Sequence, residues 1–132
     1  MPLTHLNPPS LHRNPAFSQG VLIEGPGSLL VVGGQNGVDA DGQLVSVEVG
    51  PQVEQALRNL LAVLEEAGAT REHVAKLTIY LHVDASFPEA YAASQRTWGD
   101  QATAITVVQV PGFFRPGVLV EIDALAQVPF QL

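Results

Sequence analysis

"Pro51-Gln-Val-Glu-Gln-Ala-Leu-Arg-Asn-Leu-Leu-Ala-Val-Leu-Glu-Glu-Ala-Gly68" and, shortly after it, "Ala75-Lys-Leu-Thr-Ile-Tyr-Leu-His-Val83" decide the fold. In the first, apolar side chains recur at Val53, Ala56, Leu57, Leu60, Leu61 and Leu64, the spacing of one face of an α-helix. Pro51 suits the first helical position and Gly68 the residue just past the last turn. In the second stretch the period drops to two. Ala75, Leu77, Ile79, Leu81 and Val83 fall on one side, and Lys76, Thr78, Tyr80 and His82 on the other. That is a strand with one buried face. A helical period giving way so soon to a strand period predicts a helix laid on a sheet.

Outward from this pair, Ser86 and Glu89 have capping-box spacing and Pro88 fits a first turn, so a second helix opens there. Phe87, Tyr91, Ser94 and Trp98 lie along one of its stripes, with Trp98 expected as a core anchor. Further strands are predicted over 29–32, 103–110 and 118–126, and Asp41-Gly42 marks a turn. Residues 1–16 read as a proline-studded arm on a single domain spanning 1–132. The order of elements predicts an α+β fold with two helices on one face of a sheet. The other face mixes Leu and Val with Thr, Gln, Glu and Asp, too apolar for water, so self-association through it is expected.

Composition narrows the function classes. The 132 residues are 46% hydrophobic with a mean hydropathy of +0.20, values of a compact globule large enough to bury a core. No apolar run approaches the ~20 residues of a membrane span, and prolines interrupt the N-terminus where a signal peptide needs an unbroken apolar region. With no cysteine, disulfides, thiolate nucleophiles and zinc–thiolate sites are excluded. A cytoplasmic protein with no membrane partner is expected. The net charge is −7. Its cations, Arg13, Arg58, Arg71, Lys76, Arg96 and Arg115, are scattered along the chain, which argues against nucleic acid as a partner. A small anionic metabolite needs only one cation or a few backbone amides.

No phosphate loop, nucleophile elbow or His-Glu-x-x-His motif is present, and the four histidines are not at ligand spacing, so no metal is expected. Two features carry chemistry. Glu121 and Asp123 share a face of the last strand, against Val120, Ile122 and Ala124 on the other. Glu121 is either a water-positioning base or a solvated carboxylate. Gly33-Gly34-Gln35 ends the strand that starts at Leu29; the glycines either bare backbone N–H groups to a ligand or permit a bend.

"Phe17-Ser18-Gln19-Gly20", "Val32-Gly33-Gly34-Gln35", "Asn59-Leu-Leu-Ala-Val-Leu-Glu-Glu-Ala-Gly68", "Val74-Ala-Lys-Leu-Thr-Ile-Tyr-Leu81" and "Val120-Glu-Ile-Asp-Ala124" occur in this order. Together they resemble the Rid family (reactive intermediate deaminases, also called YjgF, with the older label L-PSP endoribonuclease), over 17–126. The resemblance implies a chorismate-mutase-like (Bacillus type) mixed sheet with two helices on one face. It further implies a homotrimer with ligand clefts between subunits, and no cofactor. Family members hydrolyse enamines and imines, such as 2-aminoacrylate, to 2-keto acids and ammonia. An arginine on the penultimate strand holds the substrate carboxylate, a glutamate on the last strand holds the attacking water, and a tyrosine near the N-terminus closes the cleft. Glu121 matches the glutamate and is the expected catalytic residue.

The departures fall on the recognition groups. The arginine position is Ala104, followed by Ile105 and Thr106. Phe17 stands for the tyrosine, Gly33 for a serine, and Tyr91 for an asparagine early in the second helix. Phe17, Gly33, Gly34, Gln35, Tyr91, Ala104, Ile105 and Thr106 are thus the expected ligand-binding set. Arg115, in the loop Pro111-Gly-Phe-Phe-Arg-Pro-Gly117, is the candidate to replace the missing guanidinium. Losing a bidentate charge-assisted contact costs about 1.5–3 kcal/mol per bond. Hydrolytic deamination of an imine and non-catalytic binding of a less charged ligand are therefore both carried forward. Ribonuclease activity conflicts with the acidic charge and the absence of a basic groove.

Overall fold

The computed structural model describes residues 3–130. The outermost residues of the 1–132 domain, including the start of the 1–16 arm, lie outside the described residues. In chain order the elements are β1 (Leu3–Leu6), β2 (Gly20–Ile23), β3 (Gly27–Gln35), α1 (Val49–Glu66), a 3-10 turn (Arg71–His73), β4 (Val74–His82), α2 (Phe87–Thr97), β5 (Ala104–Val110) and β6 (Val120–Pro129). The sheet has the order β3-β6-β4-β5. Strand β6 is antiparallel to both neighbours, whereas β4 and β5 are parallel and joined by the α2 crossover. The fold is α+β with both helices on one face of a mixed sheet. The arm contributes more than expected. Leu3–Leu6 forms β1 and pairs with β2 in a separate antiparallel ribbon. Four-residue strands are too short to display a period, so the pairing left no pattern to read.

Helix α1 begins at Val49, so Pro51 is its third residue, where no intrahelical N–H is yet required. Its end follows the glycine signal. Gly68 has φ +82°, and the N–H groups of Gly68 and Ala69 reach back to the carbonyls of Glu65 and Leu64, closing the orphan carbonyls of the last turn. Val53, Ala56, Leu57, Leu60 and Leu64 are buried and share one core with Val32, Leu77, Ile122 and Ala124 of the sheet. Each leucine buried in this way contributes about 1.5–3 kcal/mol. The buried Gln52 is satisfied at both ends. Its Nε2 donates to the carbonyls of Ser46 (2.8 Å) and Gly117 (2.9 Å), and its Oε1 accepts the Leu119 N–H at 2.7 Å.

Helix α2 is built differently. Ser86 Oγ accepts the Glu89 N–H at 3.3 Å and caps the helix as expected. Of its apolar stripe, Trp98 joins the core as expected, and the other two rings do not. Phe87 and Tyr91 stack on each other with ring centroids 6.1 Å apart, but remain 54% and 47% exposed. The residues that α2 buries are Ala90 and Ala93, with Trp98 at its C-cap. Two alanines cannot reach across to a sheet, and α2 packs on α1 while standing off the strands. The Arg71 guanidinium donates to the Trp98 carbonyl and ties this end to the 3-10 turn. On the face without helices, Leu29, Val31, Val108 and Leu125 are exposed.

Candidate functional site

Register fixes what surrounds Glu121. Strand β6 pairs with β4 so that Glu121 lies opposite Tyr80 and Asp123 opposite Thr78, all on the helix-free face. Val120, Ile122 and Ala124 point to the helices and are buried. On its other side, the β3–β6 ladder breaks between Val32 and Gln35, so Gly33 and Gly34 form a bulge. A Cβ at Gly34 would lie 2.8 Å from Glu121 Cδ, so a larger residue there would push the carboxylate out of this position. The bulge thus bends the strand and also brings its backbone against the carboxylate. Gln35 turns back on it, with Nε2 donating to the Gly33 carbonyl at 3.2 Å.

A second cluster sits on β5. Ala104 pairs with Lys76 and Thr106 with Thr78, again on the helix-free face. Lys76 Nζ donates to Thr106 Oγ1 at 2.5 Å. Arg58 and Arg96 both pair with Glu54, at 3.5 and 3.1 Å. Lys76 has a hydroxyl as its partner and no carboxylate among the described residues. The arm is fastened beside this strand. The Ser18 N–H donates to the Thr103 carbonyl at 3.1 Å and Ser18 Oγ to the Ala102 carbonyl at 2.5 Å, which sets Phe17 next to the start of β5.

The expected ligand-binding residues therefore divide into groups. Gly33, Gly34 and Gln35 gather at Glu121, whereas Ala104 and Thr106 share the helix-free face but lie elsewhere on it. Glu121 and Ala104 are two strands apart, ~10 Å, and four residues apart along β4, ~13 Å. One chain does not join them. Phe17, Tyr91 and Ile105 line a cavity on the opposite, helix-covered side of the sheet. Alternation is the cause: neighbours of Ile105 on β5 face one way and Ile105 the other. Arg115 is half-buried in the β5–β6 loop and makes no ion pair with Glu121 or any other carboxylate among the described residues. Sequence reading overlooked Lys76 and Tyr80 as site residues. The signal lay in the polar side of the β4 alternation, which register converts into neighbours of Ala104 and Glu121.

Among the described residues no three His, Asp or Glu side chains gather as a metal site, and no helix is long and apolar enough to cross a membrane.

A mixed sheet with both helices on one side, a Gly-Gly bulge and a glutamate set against it define a recognisable class. Residues 10–128 match the family described as Endoribonuclease L-PSP, and the chain belongs to that family, the Rid or YjgF group. The solved structure of YyfB from Yersinia pestis, a Rid-family protein of unknown function, superposes with a TM-score of 0.85. It is 28% identical and the match covers 97% of this chain and 100% of that one. The 2-iminobutanoate/2-iminopropanoate deaminase of Rattus norvegicus is 33% identical over 117 residues, 87% of this chain and 82% of the relative. A RutC family protein of Pyrococcus abyssi is 30% identical over 111 residues, 83% of this chain and 84% of the relative.

Proposed function

We propose that this protein hydrolyses small imines or enamines to a carbonyl compound and ammonia, in clefts formed where copies of the chain associate through the helix-free face. The observation that carries the reading is the Glu121 carboxylate held against the bare backbone of Gly34. A carboxylate accepts a hydrogen bond from water and orients its lone pair, while bulged N–H groups are free to meet a polar ligand. The imine carbon is already electrophilic. Water adds to it, the C=N π pair moves to nitrogen, and Glu121 takes the water's proton and passes it to that nitrogen; the carbinolamine then collapses, its hydroxyl proton moving through Glu121 to nitrogen as ammonia leaves and the carbonyl forms. The rat deaminase supplies the substrate class, imines of short 2-keto acids. For such an anion, Lys76 on β4 supplies the cation that Ala104 does not, with Thr106 beside it. Since Lys76 and Glu121 are too far apart within one chain, the proposal needs a neighbouring copy to bring them to one ligand. The trimer expected from the resemblance fits that need.

The test couples a dehydratase that releases 2-aminoacrylate to pyruvate detection. The protein accelerates pyruvate release, Glu121→Gln abolishes the acceleration, and Lys76→Met raises KM by about ten- to a hundredfold, the loss of one charge-assisted bond. A second reading, a non-catalytic ligand-binding module, is favoured by the separation of Glu121 from Lys76 within the chain. Carbonyl release unchanged by the protein, with 2-aminoacrylate and with the imines of 2-ketobutyrate and a neutral ketone, would select it. RNA is a poor fit, since the net charge is −7 and two of the six cations already share Glu54.

A further inference from the structure

Between α2 and the strands lies a cavity of about 410 Å³, on the opposite side of the sheet from Glu121. Its floor is Leu77, Ile79 and Leu81 of β4 with Ile122 of β6, and its roof is Ala90 and Trp98. It exists because α2 presents alanines where α1 presents leucines. It is far larger than the ~150 Å³ apolar cavity that stays dry and admits benzene, and falls within the ~300–1,000 Å³ of small-molecule pockets. Among the described residues no Asp, Glu, Lys, Arg or His lines it, so an ionised ligand would be buried there without a partner. Trp98 itself is 4% exposed.

We infer that this cavity is a second ligand site, separate from Glu121, taking a neutral, largely apolar molecule of one or two rings. Phe87 and Tyr91, stacked and half-exposed, stand at its edge with Phe17 of the arm. They form the solvent-facing side through which such a molecule enters. The site is independent of the reaction proposed above, because Val120 and Ile122 face the cavity while Glu121 faces away.

Trp98 is the only tryptophan in the chain and lines the cavity, so its fluorescence reports occupancy directly. Coumarin, a neutral two-ring lactone, is titrated into the full-length protein while the indole emission is followed and corrected for the absorbance of coumarin. Saturable quenching and a raised melting temperature are expected. Coumarin-3-carboxylate, the same rings bearing a charge, binds at least about a hundredfold more weakly, as an unpaired buried carboxylate requires. Ala90→Leu combined with Val107→Phe, which narrows the space from α2 and from β5 together, weakens coumarin binding, and Glu121→Gln leaves it unchanged. Should the double variant fail to melt cooperatively, either single substitution weakens binding by a smaller factor and carries the test. Quenching that never saturates, equal binding of the two coumarins, or undiminished binding in every folded narrowed variant would overturn the inference.

Discussion

The two helices lie over the same sheet and cover it in opposite ways. Helix α1 sends Val53, Leu57, Leu60 and Leu64 into the core and locks its N-terminal turn through the buried Gln52. Helix α2 sends Ala90 and Ala93, keeps its aromatic rings half in water, and leaves a cavity beneath. An amphipathic period alone does not make a helix a tight cover; the lengths of the inward side chains decide. One helix stabilises the fold, and the other leaves room for a molecule.

Substitutions test how sharp that division is. Leu60→Ala, at a site with no exposure, is expected to cost the most, about 2–5 kcal/mol in urea unfolding. A cost below about 1 kcal/mol would mean that α1 is no better packed than α2. Gln52→Leu strands the Leu119 N–H and the carbonyls of Ser46 and Gly117; at about 1–3 kcal/mol for an unsatisfied group, a net loss near 3 kcal/mol is expected by the same measurement. Gly68→Ala forces a side chain into the left-handed conformation that ends α1 and costs about 1–2 kcal/mol in thermal unfolding. Phe87→Ala on α2 is expected to cost the least, under about 1 kcal/mol, because its ring is mostly outside the core. A larger loss there would show that the aromatic stack supports the fold and would weaken the contrast between the helices.

Much of the fold was legible because its signals are local. The helix around Leu57, the β4 alternation, the Ser86 cap and the inward set of Val120, Ile122 and Ala124 each follow from a period or a cap within a few residues. Trp98 was legible as a core anchor, but the inward face of α2 was not, because Phe87 and Tyr91 share its stripe while the shorter Ala90 and Ala93 face inward. The ribbon β1–β2 escaped because its strands are too short to carry a pattern. The candidate site was legible in part. Glu121 and the glycines were singled out, but spacing along the chain carries no information about Lys76 beside Ala104 or Tyr80 beside Glu121.

The chain by itself determined the two helices and the longer strands and the apolar side of α1, β4 and β6, since backbone geometry ties these to the order of residues. Tertiary structure alone decided that Gly34 meets Glu121, that Lys76 rests on Thr106, and that a space opens under α2. Those outcomes depend on strand register and on the gap between layers, and both are set only when distant segments pack together.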